Sequence, residues 1–365
     1  MVIGGGVMGL ATAWQLARRG ERPIVLERFA RGHTHGASHG ETRNYNNAYG
    51  DAHYLDLLAR AREGWDALGT VDGEPLLRLH GLVSHGSGAA LGGTAGARLA
   101  EVERGLRERG IPAQLLDGTE AARRWPGMRF EDTVLYSPDA GVVRAAAALR
   151  ELERRIVAAG GEVRWETPVE RIEDDSEDGA GVRVHTPTGI LTADVAVVTV
   201  GAWTRQLVTG IPLPRLRVTE ETPAHFTPVD AGLPWPSFNH FVAPGTWPSN
   251  VYGMPTPGEG VKVGFHGIGN EIDPDARPHV PVKQAELAEY VREWFPGLDA
   301  GTAVPISCTY TSTVDEAFVL DRRGRIVVGA GFSGQGFKFA PGVGATLADL
   351  ALDPAARAAA PFRLR

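Results

Sequence analysis

The chain has 365 residues, 43% of them hydrophobic, and a formal net charge of -7. That length allows two domains or one domain with a large insertion, and there is no basic excess to hold a phosphate backbone. No stretch reaches the roughly 20 apolar residues of a membrane span, and Met1 leads into a glycine-rich strand end instead of a signal peptide, so a soluble, cytoplasmic protein without membrane or nucleic-acid partners is expected.

The first element is the sharpest. "VIGGGVMGLATAWQLARRGERPIVLER" reads as strand, glycine turn, helix and strand. Gly4, Gly6 and Gly9 fit G-x-G-x-x-G, in which the first glycine permits the tight turn, the second lets the backbone approach a pyrophosphate and the third lets helix and strand pack closely. The helix N-terminus then faces the phosphates. Glu27 ends the second strand, 23 residues after Gly4, where it can accept from ribose hydroxyls. The first strand is short as it begins here, so further residues before Met1 are expected.

The next stretch, "RGHTHGASHGETRNYNNAYG", holds His33, His35 and His39. No Cys or carboxylate pattern completes a closed metal site, so no metal is expected. It reads better as a loop over a bound cofactor, with Gly36 and Gly40 for close approach and Ser38, Thr42 and Arg43 as donors. Residues 53–67 and 96–109 have helical apolar spacing, "LLRLHGLVSHGS" reads as strand and turn, and "RRWPG" at 123–127 ends a helix at a proline. A helix is expected over 143–159, followed by strands that return to the nucleotide-binding body. The acidic tip "DDSEDGAG" between them reads as solvated surface. From about 213 to 301 proline-rich stretches, "VYGMPTPGEGVKVGFHG" and an amphipathic helix at 282–294 suggest a β-rich second domain.

The last segment, "IVVGAGFSGQGFKFAPGVGATLADLAL", repeats strand, glycine loop and helix, with the helix over about 343–351. Its N-terminus and the nearby Lys338 would favour negative charge on whatever is bound there. Lys262, Lys283 and Lys338 are the only lysines among 37 basic residues. A lysine that persists under such an arginine bias is a candidate for chemistry that a guanidinium cannot do. Cys308, the only cysteine, can form no internal disulfide and is either buried filler or reactive.

Taken in order, "VIGGGVMG", "SHGETR", "AYG", "RWPG", "GAW", "VYG", "VKVGFH", "CTYTSTVDEAFVLD" and "GAGFSGQGFKF" resemble the D-amino-acid-oxidase-type flavoproteins, within them the monomeric sarcosine oxidase and N-methyltryptophan oxidase branch. The resemblance implies an α/β, two-domain fold: a Rossmann-like FAD-binding domain (1–78, 143–212 and 302–365) interleaved with an antiparallel β-sheet substrate domain (79–142 and 213–301). It implies FAD held covalently by Cys308, with Tyr310 facing the substrate. It also implies Lys262 as the oxygen-activating cation, His266 and Tyr252 as residues tuning substrate binding and amine ionisation, Arg43 against the flavin ring, and Lys338 on the substrate carboxylate. Gly4, Gly6, Gly9, Glu27, Ser38, His39, Thr42, Val169, Gly201, Trp203, Gly334, Gly336 and Phe337 are the further expected cofactor contacts.

The expected reaction is oxidation of the C–N bond of an N-methyl or cyclic secondary amine or amino acid, giving an imine and, with molecular oxygen, hydrogen peroxide, in a monomeric enzyme. Two departures stand against sarcosine itself. The branch places a second arginine where this chain has Asn46, and a histidine where it has Gln335. A flavin-dependent tailoring oxidase or dehydrogenase for a larger amine is the alternative.

Overall fold

The computed structural model describes residues 1–86, 99–131, 133–174 and 181–364. A six-stranded sheet runs in the order Glu162–Arg164, Ile24–Leu26, Val2–Ile3, Ala196–Val198, Ile326–Ala330, Val319–Arg323. The first five strands are parallel and the last turns back as a hairpin. The register explains why short apolar runs are enough. Val25, Val2, Val197 and Val327 form one row across the sheet, and Leu26, Ile3, Val198 and Val328 form the next. Successive residues of a strand face opposite ways. The valine row packs in the cluster with Leu10, Leu347 and Trp14 of the covering helices, whereas the other row packs with Val182, Val184 and Leu216. Burial on both faces is the usual condition of parallel strands.

Helix Val7–Ala17 packs closely on helix Ala340–Leu352, where a Cβ on Gly344 would lie 2.6 Å from the Ala11 backbone. Helix Ala52–Leu68 lies on the other flank, with Gly64 against Pro341. An eight-stranded mixed sheet runs Leu298–Pro305, Ala224–Pro228, Gly260–Phe265, Val251–Thr256, Ser237–Phe241, Leu82–Gly86, Thr133–Ser137, Gln114–Asp117, with helix Gln284–Trp294 packed against it. Phe226, Phe238, Tyr290 and Phe295 fill the core between them. Burying each such side chain contributes about 1.5–3 kcal/mol. A small sheet pairs Arg217–Glu221 with Cys308–Ser312, and another pairs Thr42–Tyr45 with Gly141–Arg144.

Several boundaries differ from expectation. The helix expected from 143 starts at Ala145, because Val142 and Val143 pair with Asn44 and Arg43 as a strand first. The last helix starts at Ala340 with Pro341 in its first turn, and the amphipathic helix starts at Gln284. The boundary expected at 301/302 falls inside Leu298–Pro305, which pairs as one strand with Ala224–Pro228 across a bulge. Residues 96–98 of one expected helix and 175–180 of the acidic tip lie outside the described residues.

Candidate active site

A cavity of about 1100 Å³ runs from the glycine turn at Gly4 to the Tyr252 and Lys262 end of the large sheet. Its near end is built by the first strand and helix. Gly4 has φ +102°, and a Cβ on Gly9 would lie 1.8 Å from the Gly4 carbonyl oxygen, so neither position accepts a side chain without moving the turn. Gly4 and Gly6 line the cavity; Gly9 does not, and its place is the helix-to-turn contact. Glu27 does more than the motif implies. Its buried carboxylate accepts from the Gly5 amide at 2.6 Å and from the Phe29 amide at 2.9 Å, tying the turn to the second strand. Ser38 Oγ accepts from the Val7 amide at 3.0 Å and so caps the helix that has no cap of its own.

Loop 33–41, leading into the strand Thr42–Tyr45, closes over this end. Arg43 donates to the carbonyls of Thr42, Ala37 and His39 and stacks 5.8 Å from the Phe337 ring centroid. The fork therefore braces the loop while facing the cavity. Thr42 lies outside the cavity wall: its hydroxyl is 2.8 Å from that of Thr256, so it joins the loop to the large sheet. His33 and His35 pack on Phe29, and His33 Nε2 is 3.5 Å from Glu27. No group of three His, Cys, Asp or Glu side chains among the described residues is arranged to hold a metal ion. Val169, Gly201, Trp203, Gly334, Gly336 and Phe337 all line the cavity.

The far end collects side chains from four separate stretches. Lys262, Tyr252 and His266 come from adjacent strands of the large sheet and their edge, Cys308 and Tyr310 from the small sheet, and Lys338 from the 3-10 turn Phe337–Phe339 before the last helix. All six line the cavity. The Tyr310 and Tyr252 hydroxyls are 3.4 Å apart, and the His266 ring centroid lies 5.4 Å from that of Tyr310. Lys338 Nζ donates to the Gln335 carbonyl at 2.8 Å and lies 5.4 Å from the Tyr49 ring centroid.

Burial dominates the electrostatics of this end. It brings Lys262 down to about 7, assisted by the charge of Arg43, and by itself brings Lys338 to about 7. Burial and then Lys338 hold His266 near about 4, and burial pushes the Tyr252 and Tyr310 phenols upward. Every cation is disfavoured here, so an amine entering the cavity is driven toward its neutral form by the same desolvation.

Tyr49 and His225 line the cavity without being among the expected site residues, whereas Asn46, already expected near the substrate, takes a defined place there. Tyr49 was read only as part of "AYG", yet its hydroxyl donates to Gln335 Oε1 at 2.9 Å. Asn46 turns its Oδ1 to the Ala48 amide at 2.8 Å, which leaves its neutral amide NH2 for the cavity. His225 lies directly across from Lys262 in the sheet register, a neighbourhood no local spacing signals.

The residues present fit FAD. The glycine turn and capped helix N-terminus suit a pyrophosphate, and His39 Nε2 and Gln335 Nε2 are buried polar atoms without a hydrogen-bond partner among the described residues on the wall of one long cavity.

A family model described as "FAD dependent oxidoreductase" (DAO) matches residues 1–350. Among relatives, the chain is 32% identical to the monomeric sarcosine oxidase of Bacillus sp. (strain B-0618), over 96% of this chain and 91% of that protein. It is 34% identical to the human peroxisomal sarcosine oxidase over the same shares. It is 31% identical to the N-methyl-L-tryptophan oxidase of Salmonella heidelberg (strain SL476), over 96% and 94%. Among solved structures, NikD, an unusual amino acid oxidase essential for nikkomycin biosynthesis, superposes with a TM-score of 0.84 at 26% identity, covering 97% of this chain and 93% of that one. No helix among the described residues is long and apolar enough to cross a membrane. With the glycine turn, the two sheets and the shared cavity in the arrangement described, the chain belongs to the family of FAD-dependent oxidoreductases and is an enzyme of that family.

Proposed function

We propose that the protein is an FAD-dependent amine oxidase acting on the C–N bond of an N-methyl or cyclic secondary amino acid, with dioxygen as acceptor. The observation that carries this reading is the convergence of Lys262, Tyr252, His266, Tyr310, Lys338 and Cys308 on one cavity continuous with the Gly4–Gly6 turn. When bound, FAD supplies the two-electron oxidant for the C–N bond, which becomes an imine open to hydrolysis, and passes the electrons to dioxygen to give hydrogen peroxide.

The chain's own residues prepare the substrate. Lys338 binds the carboxylate; the pairing opposes the burial that lowers its basicity. Tyr310 and Tyr252, kept as neutral phenols, offer hydroxyls to the amine, and neutral His266 beside them adds no competing charge. Tyr49 and Gln335 wall the carboxylate end. Lys262 stabilises the negative charge that develops on dioxygen. Cys308, on the strand edge 4.0 Å from the Ala37 carbonyl of the covering loop, is the point of covalent FAD attachment. On this reading, residues 1–78, 143–212 and 306–365 hold the cofactor and residues 79–142 with 213–305 shape the substrate end, the boundary being set after the strand Leu298–Pro305. The enzyme works as a monomer in the cytoplasm.

A second reading, oxidation of a larger amine in a tailoring step, draws on Asn46 and on the similarity to NikD. Peroxide release over a panel of sarcosine, N-methyltryptophan, proline, pipecolate and bulky N-methyl amines tests both. Turnover of the first group supports the proposal. Turnover of the bulky amines alone replaces it with the second reading, and no flavin bleaching by any amine removes both.

A further inference from the structure

Behind Lys262 the cavity wall holds a pair of titratable side chains that the proposed reaction leaves without a task. His225 and Lys262 are direct partners in the antiparallel register of strands Ala224–Pro228 and Gly260–Phe265. Residues in such a pair point to the same face with Cβ atoms about 4.5–5.5 Å apart, and both side chains line the cavity. His225 is only 6% exposed, yet its Nε2 has no hydrogen-bond partner among the described residues. The nearest acid is Glu259, on the tight turn that joins Val251–Thr256 to Gly260–Phe265. Its Oε2 is 3.2 Å from His225 Nε2, close enough that a small ring rotation completes the bond. Glu259 also lines the cavity, but its side chain is 44% exposed. Glu259 and His225 thus lead from solvent to the strand partner of Lys262. Arg43 is the further charge that acts on both His225 and Lys262.

We propose that Glu259 and His225 form a proton conduit that recharges Lys262 from solvent. The inference rests on the reading above that dioxygen is reduced beside Lys262. Conversion of dioxygen to hydrogen peroxide takes two electrons and two protons. Both electrons and one proton come from the reduced cofactor, so one further proton has to enter in each turnover. Lys262 donates that proton and becomes a neutral amine. His225 passes a proton to it from Nδ1 while Nε2 takes one from the Glu259 carboxyl, and solvent returns the proton to Glu259. No charge accumulates in the cavity. A histidine held neutral by its burial suits this task, because it can take a proton on one nitrogen while losing one from the other.

The test uses purified holoenzyme of the parent, Glu259→Gln, His225→Gln and Lys262→Met. The enzymes are reduced anaerobically with a substrate amine, and the reduced forms are then mixed with oxygenated buffer in a stopped-flow instrument. Glu259 is at the surface, so its variant is expected to fold even if the buried His225 variant does not. Anaerobic reduction should proceed at the parental rate in Glu259→Gln, whereas reoxidation should slow about 10²-fold, as for loss of a general acid. The slowed step should show a larger solvent deuterium isotope effect, and added acetic acid or imidazolium should restore it in proportion to concentration. Reoxidation of Glu259→Gln within twofold of the parent overturns the conduit, as does a slowed rate that no buffer acid restores. If Lys262→Met itself reoxidises at the parental rate, the role given to Lys262 falls, which is a separate failure from that of the conduit.

Discussion

Replacing Lys262 by methionine should make the protein more stable and less active, with a pH signature that ties both effects to the buried charge. Lys262 is 5% exposed. Its fall from 10.5 to about 7 corresponds to about 5 kcal/mol against the ammonium relative to water. In the unfolded chain the lysine keeps its ordinary value. Below pH 7 both states bind the proton, so the fold bears the whole cost. Between about 7 and 10.5 the unfolded chain binds more protons than the folded one, so stability rises with pH and the cost fades. Methionine removes the cost at every pH while filling similar volume. Relaxation and water entry reduce the gain, so Lys262→Met should exceed the parent by about 1–4 kcal/mol at pH 6. That gap should shrink steadily toward pH 10. Urea unfolding followed by tryptophan fluorescence across this range measures it, and flavin reoxidation in the same samples should be slower by about 10²-fold or more. A variant no more stable than the parent at pH 6, or a gap that stays constant with pH, would refute the reasoning.

Three further outcomes are expected. Acid precipitation of the parent should leave the yellow flavin in the pellet, whereas Cys308→Ser should release it to the supernatant; colour in the variant's pellet would place the attachment elsewhere. Asn46→Arg adds a cation beside the carboxylate end, worth about 1.5–3 kcal/mol, so KM for sarcosine should fall about tenfold or more; an unchanged KM would mean that the carboxylate does not reach Asn46. Because only the neutral amine donates electrons, kcat/KM should climb from pH 6 to 9, and a flat profile would count against amine oxidation.

Local chemistry carried much of this molecule in its one-dimensional form. The Gly4 turn, the helices expected at 53–67 and 282–294 and found at 52–68 and 284–294, and the strand leading to Glu27 follow from glycine placement and apolar spacing alone. The meeting of Lys262, Cys308 and Lys338 did not follow from spacing and came only through family resemblance. Hydrogen bonding and sheet register were the hidden part. Glu27 reads as a ribose partner by position, but nothing local reveals that both its oxygens hold backbone amides. Strand Leu298–Pro305 contains Gly301 and ends in proline, so it resembles a break although it forms a sheet edge. A bulge between His225 and Thr227 shifts the pairing on that side, and the alignment of His225 with Lys262 emerges only once the strands are paired.

The order in which the chain leaves the ribosome gives the six-stranded sheet a further meaning. Val2 is flanked by Val25 on one side and by Val197 on the other, and Val197 in turn needs Val327. At about 5–20 residues per second, synthesis takes on the order of tens of seconds between the first strand and its completed neighbourhood. Through that interval the N-terminal turn has no finished sheet to support it, and Tyr310 and Lys338 do not yet exist. Three strands of the sheet come from residues 2–164 and the other three from residues 196–330, so its two halves are made one after the other. The cavity that runs from the Gly4 turn to Tyr310 and Lys338 therefore has its complete wall only in the finished chain.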